Sequence, residues 1–148
     1  MLKRLFLAVC LLLPAGAFAA EVNLFEAHLA AAYGAKISVE GAGVARQATA
    51  FSGDSGQAVR LIGPPDEYLK AEAQVDMRPS NVAKGKAFLK EVARAMIAAA
   101  EWPAADRFIE QKAATLSVGE KARLTAGGWV FELDRSSNTM LRLVAARG

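Results

Sequence analysis

Gly53-Asp54-Ser55-Gly56 sets a serine hydroxyl between small residues, the setting in which acyl-transfer nucleophiles are presented. Such a hydroxyl attacks a carbonyl only with a base to take its proton and donors to hold the oxyanion. The chain has one histidine, His28. It lies in a segment of helical pattern, on the apolar arc with Leu24, Phe25, Leu29 and Ala32, where a core or partly buried histidine is expected. The tetrapeptide is therefore an exposed hairpin turn: glycine supplies positive φ, and Asp and Ser side chains bond nearby backbone.

The same four residues match those around the nucleophile of trypsin-like serine proteases, but their context does not. In that family the motif comes late, continues Gly-Pro, and follows barrels that carry the histidine and aspartate. Here it stands a third of the way along and continues Gln57-Ala58. The esterase motif that begins Gly-Asp-Ser expects a leucine next and a late histidine, and neither is present. No catalytic residue is assigned.

Metal and cofactor chemistry is equally thin. One histidine and one cysteine cannot build the usual zinc sets. The carboxylates at Asp54, Asp66-Glu67, Glu72, Asp76 and Asp106 lack calcium-loop spacing. Val39 to Arg46 contains Gly-Ala-Gly without a third glycine or a following helix, so no phosphate cradle is expected. No cofactor and no metal is assigned. Two facing carboxylates suffice for a glycosidase, so a small hydrolase or glycan-active enzyme stays open as the alternative.

What remains is surface. Tyr68, Lys70, Glu72, Gln74, Asp76 and Arg78 alternate with Leu69, Ala71, Ala73, Val75 and Met77, a period of two that gives one wet and one buried face. If helices cover the buried face, then Tyr68, Lys70, Glu72, Asp76 and Arg78 form the candidate binding surface. The partner would be a protein or glycan of the cell envelope, reached through this open face or a groove between helix and sheet. Lys84, Lys86, Lys90 and Arg94, interrupted by Glu91, read as the solvated side of a helix. Trp102 and Trp129 read as core or helix-end anchors.

The ends set the compartment. Lys3 and Arg4, the apolar run Leu5 to Leu13 and Ala17-Phe18-Ala19 together predict a signal peptide over 1–19, cleaved before Ala20. The only cysteine, Cys10, lies inside it, so the mature chain 20–148 is expected to be cysteine-free and periplasmic or secreted. The leader also carries two of the eighteen basic residues, which leaves sixteen against fifteen acids and no case for nucleic acid. No stable membrane insertion is expected after cleavage.

The mature length suits one α+β domain. Its expected elements are an N-terminal helix over 21–33 and a long helix over 81–101, both packed on one face of an antiparallel sheet. Strands are expected at 35–39, 44–51, 58–62, 68–78, 114–118, 121–125, 129–134 and 140–146. Pro103 is expected to break the helix, with a short one resuming over 104–112. Segments at 35 and 114, and at 52 and 134, echo each other at offsets of 79 and 82, as either an internal duplication or, the favoured reading, shared strand and turn composition would give.

Overall fold

A computed structural model describes residues 22–148 of the chain; the expected leader at 1–19 lies outside the described residues. Helix α1 (Leu24–Tyr33) precedes strands β1 (Lys36–Glu40), β2 (Gln47–Ser52), β3 (Gln57–Ile62) and β4 (Lys70–Asp76). Helices α2 (Val82–Met96) and α3 (Trp102–Thr115) follow, then β5 (Lys121–Ala126), β6 (Trp129–Arg135) and β7 (Met140–Arg147). The strands form one seven-stranded sheet in the order β1-β2-β3-β4-β7-β6-β5. Every pairing is antiparallel. The fold is α+β, with the helices on one face.

Alternation fixes that face. Ala71, Ala73 and Val75 of β4 are buried and register with Leu61, Val59 and Gln57 on one side and Ala145, Leu143 and Leu141 on the other. Phe88, Leu89, Val92 and Met96 of α2 pack onto this floor, three and four residues apart as a helical stripe requires. Gly85 lets α2 sit close, because a Cβ there would lie 3.2 Å from the Val75 Cβ and the Asp76 carbonyl. Gly56, in the β2–β3 turn, has φ 62° and would drive a Cβ to 2.7 Å from the Asp76 Cβ, so both backbone and space demand glycine.

Three expectations are corrected. The long helix ends at Met96, and Pro103 opens α3 within its first turn instead of breaking a helix; its missing N–H is one that a helix start leaves unpaired anyway. Residues 114–118 are no strand. Ala105, Phe108, Ile109, Ala113 and Leu116 are all buried and continue a helical period to the end of α3 and just beyond. Helix α1 is rotated from its expected arc: Leu24 is 92% exposed while Glu26 is fully buried.

The internal echo does not extend to the architecture. The offset of 82 sets β3 on β7, but the offset of 79 sets β1 on the α3–β5 connection. Moreover, β3 and β7 both run antiparallel to β4. A rotation carrying one onto the other therefore lies along β4 and turns the sheet over, yet helices from both halves share one core on one face.

Candidate functional site

Helix α1 is held by its acid. Asn23 caps it, accepting from the Glu26 N–H at 2.8 Å, while the Asn23 N–H donates to Glu26 Oε2 at 3.1 Å. Behind this capping box, Arg46 donates to both Glu26 oxygens at 2.8 and 2.7 Å, and Tyr68 donates to Oε1 at 2.9 Å. Burial pushes the Glu26 pKa up, but the bonds from Arg46, Tyr68 and Asn23 outweigh it and hold the carboxyl below its ordinary range. Burial, reinforced by Glu26, pushes the Tyr68 phenol up. The cluster ties α1 to the loop before β2 and to the start of β4.

With Glu26 and Leu29 turned inward, Leu24 is left facing solvent and Phe25 half-buried. Leu24, Phe25 and His28 form one wall of a cleft between α1 and α2, about 600 Å³ in volume. That lies within the roughly 300–1,000 Å³ usual for small-molecule sites. Met96 and Trp129 contribute from the core side, and Trp102 opens α3 at the rim. Both tryptophans of the chain line this one cleft.

Each indole carries a guanidinium. Arg94 stands 5.5 Å from the centre of the Trp102 ring and Arg147 5.6 Å from that of Trp129. Arg94 is committed elsewhere as well, with its Nε donating to Asp106 Oδ1 at 3.0 Å and a second bond to Oδ2. The Trp102 N–H donates to the Arg94 and Ile97 carbonyls, which pins the ring to the end of α2. Across the cleft, His28 Nε2 lies 3.1 Å from Glu91 Oε2. Burial and Glu91 together push the Tyr33 phenol up.

The five residues expected to form a binding row do not stay together. Lys70 and Glu72 stand on the open face, 2.6 Å apart, with Arg60 of β3 at 4.0 Å from Glu72. Tyr68 is 8% exposed and belongs to the Glu26 cluster. Asp76, expected to face water, is buried. It accepts from the Arg78 N–H and Nε at 2.9 and 2.6 Å and from Asn81 at 3.1 Å, so it ties β4 to the start of α2. Those bonds hold the Asp76 pKa down at about 2. Arg78 is exposed and extends along that carboxylate.

Ser55 lies in the β2–β3 turn, as its surroundings imply, but it is buried instead of exposed. Its Oγ is 2.8 Å from Ser52 Oγ and 2.6 Å from the Gln57 side-chain amide, and Ser52 donates to the Tyr33 carbonyl at 2.7 Å. Each hydroxyl has one proton. Ser52 spends its proton on Tyr33, so the Ser52–Ser55 contact needs the proton of Ser55. As placed, Gln57 Oε1 faces Ser55; flipping the amide end for end lets Nε2, otherwise without a partner, donate to Ser55 and completes the chain. Ser55 thus relays a bond that caps the last turn of α1. The hydroxyl serves the fold.

Sequence reasoning passed over Leu24, Arg94 and Arg147 as site residues. The available signal is the apolar arc of α1 itself, whose pattern reads as core. Among the described residues, no cluster of three His, Cys, Asp or Glu side chains is arranged to hold a metal ion, and no helix is long and apolar enough to cross a membrane. No family model, curated protein or solved structure matches the chain.

Proposed function

We propose that this is a non-catalytic binding protein of the cell envelope, and that it holds its ligand in the cleft between α1 and α2. The observation that carries this reading is that solvent-exposed Leu24 and half-buried Phe25 share one cavity with both tryptophans. Monomeric domains rarely leave such residues grouped without a use for them. The expected leader supplies the compartment. An accessory role beside an envelope-acting enzyme fits the same arrangement.

The rival is a small hydrolase, and one observation favours it: the His28–Glu91 pair at the cleft gives a carboxylate-oriented imidazole, the usual form of a general base. The nucleophile that such a base would serve is not Ser55, whose hydroxyl is spent in the α1 cap.

The test uses N-phenyl-1-naphthylamine, a neutral apolar fluorophore, with energy transfer from Trp102 and Trp129 as the readout. One saturable site is expected. Ala95→Phe, which fills the cleft from an exposed position on α2, should abolish transfer without lowering the melting temperature. Unchanged binding in Ala95→Phe would place the probe elsewhere and remove the cleft as the site.

A further inference from the structure

Resting on the cleft as the binding site, we infer that its ligand class is a single-chain amphiphile with an anionic, carboxylate-type head, and that Arg147 receives that head. The cleft joins an apolar lining, chiefly Leu24 and Phe25 with the edges of buried Met96 and Trp129, to one guanidinium with donors to spare. Arg147 stacks on Trp129 and reaches Glu67 through a single contact at 3.1 Å. A guanidinium carries five N–H donors in a fork matched to a carboxylate, so that contact leaves room for a bidentate partner. Both members of the pair are more than half exposed, at 51% and 59%, and exposed pairs are weakly held.

The other charges lining the cleft are differently placed. Arg94 already gives two bonds to Asp106. Glu91 is engaged by His28 at 3.1 Å. Asp66 stands in the exposed loop between β3 and β4. Arg147 is thus the charge best able to exchange its partner for a ligand. A stacked sugar is disfavoured, because each indole already carries a guanidinium at stacking distance and the Trp129 ring is otherwise buried.

Three probes sharing a twelve-carbon chain test this, each titrated below its micellar concentration against tryptophan emission: dodecanoate, dodecyl maltoside and dodecyltrimethylammonium. Dodecanoate should bind about tenfold more tightly than the neutral maltoside, and the cation most weakly, as a charge-assisted bidentate bond implies. Arg147→Met keeps the packing on Trp129 and should erase the preference for dodecanoate while keeping neutral-probe binding. Glu67→Gln, which frees the guanidinium, should raise dodecanoate affinity. This exposed-site variant also answers the question if Arg147→Met does not fold. Equal affinity for the three heads, or a preference for the cation, would overturn the inference while leaving the cleft as a binding site. Failure of every chain, together with failure of the naphthylamine probe, would overturn the cleft itself.

Discussion

Helices α1 and α2 lie in the same layer and meet where the Tyr33 ring stands edge-on to Phe88, centroids 5.0 Å apart, yet only α2 buries its whole apolar stripe. Helix α2 buries Phe88, Leu89, Val92 and Met96 and turns Lys86 and Lys90 toward Glu110 of α3. Helix α1 buries an acid, Glu26, beside Leu29 and shows Leu24 to solvent. The inversion is stable because Glu26 meets a bidentate guanidinium, a phenol and its own helix N-terminus. Where an apolar arc and actual burial disagree, part of the arc is left facing solvent, as Leu24 is here.

The largest effect should come from breaking the support of that inversion. Arg46→Met leaves Glu26 buried without its cation and should cost about 4 kcal/mol near neutral pH, within the range for one-sided removal of a buried pair. The pH dependence gives the sign. In the native protein the Glu26 pKa is lowered from 4.5, so its contribution is present above about that pH and is lost as the pH falls further. In Arg46→Met the folded-state pKa lies above the unfolded one, so acidification from neutral pH should restore part of the stability. The pair Glu26→Met with Arg46→Met should recover most of the loss. Urea unfolding at several pH values checks all three; additive losses in the double variant would remove the ion pair as the cause.

Next in size is the orthodox helix. Leu89→Ala empties a fully buried position of α2 and should cost about 3 kcal/mol. Ser55→Ala should cost about 1–2 kcal/mol, since it cuts a buried hydrogen-bond chain at its middle. Labelling of Ser55 by a fluorophosphonate would reopen the nucleophile reading. The smallest effect is the most informative: Leu24→Ser should move stability by no more than about 0.5 kcal/mol, as for an ordinary exposed site. It should nevertheless weaken binding of the naphthylamine probe. A loss like that of Leu89→Ala would return Leu24 to the core.

Much of the fold was legible, for a local reason. The alternation from Ala71 to Met77 and the stripe on α2 are short-range patterns, and burial followed them at Val75 and Leu89 alike. The errors arose where the deciding contact was distant in sequence. Glu26 is buried because of Arg46, twenty residues on, and Tyr68, forty-two residues on, and nothing on α1 announces either. Asp76 failed similarly: its parity is that of the wet face, but Gly56 and Asn81 close over it. Residues 114–118 carry β-formers, but Thr115 closes α3, Leu116 is buried just past it and Val118 lies exposed in the turn before β5. The cleft was illegible because it is lined from both ends of the chain, from Leu24 to Arg147. Its one visible trace was an apolar arc carrying a histidine.

The cleft and the open sheet face can be compared directly by thiol reactivity. With Cys10, the chain's only cysteine, replaced by Ser, Leu24→Cys places one thiol at the cleft and Lys70→Cys places one on the open face. Both should react quickly with a disulfide reagent in the free protein. Saturating N-phenyl-1-naphthylamine should slow Leu24→Cys about tenfold or more, as burial of a reactive group requires, and leave Lys70→Cys unchanged. Protection of Lys70→Cys with no protection of Leu24→Cys would move the site to the open face and contradict the account.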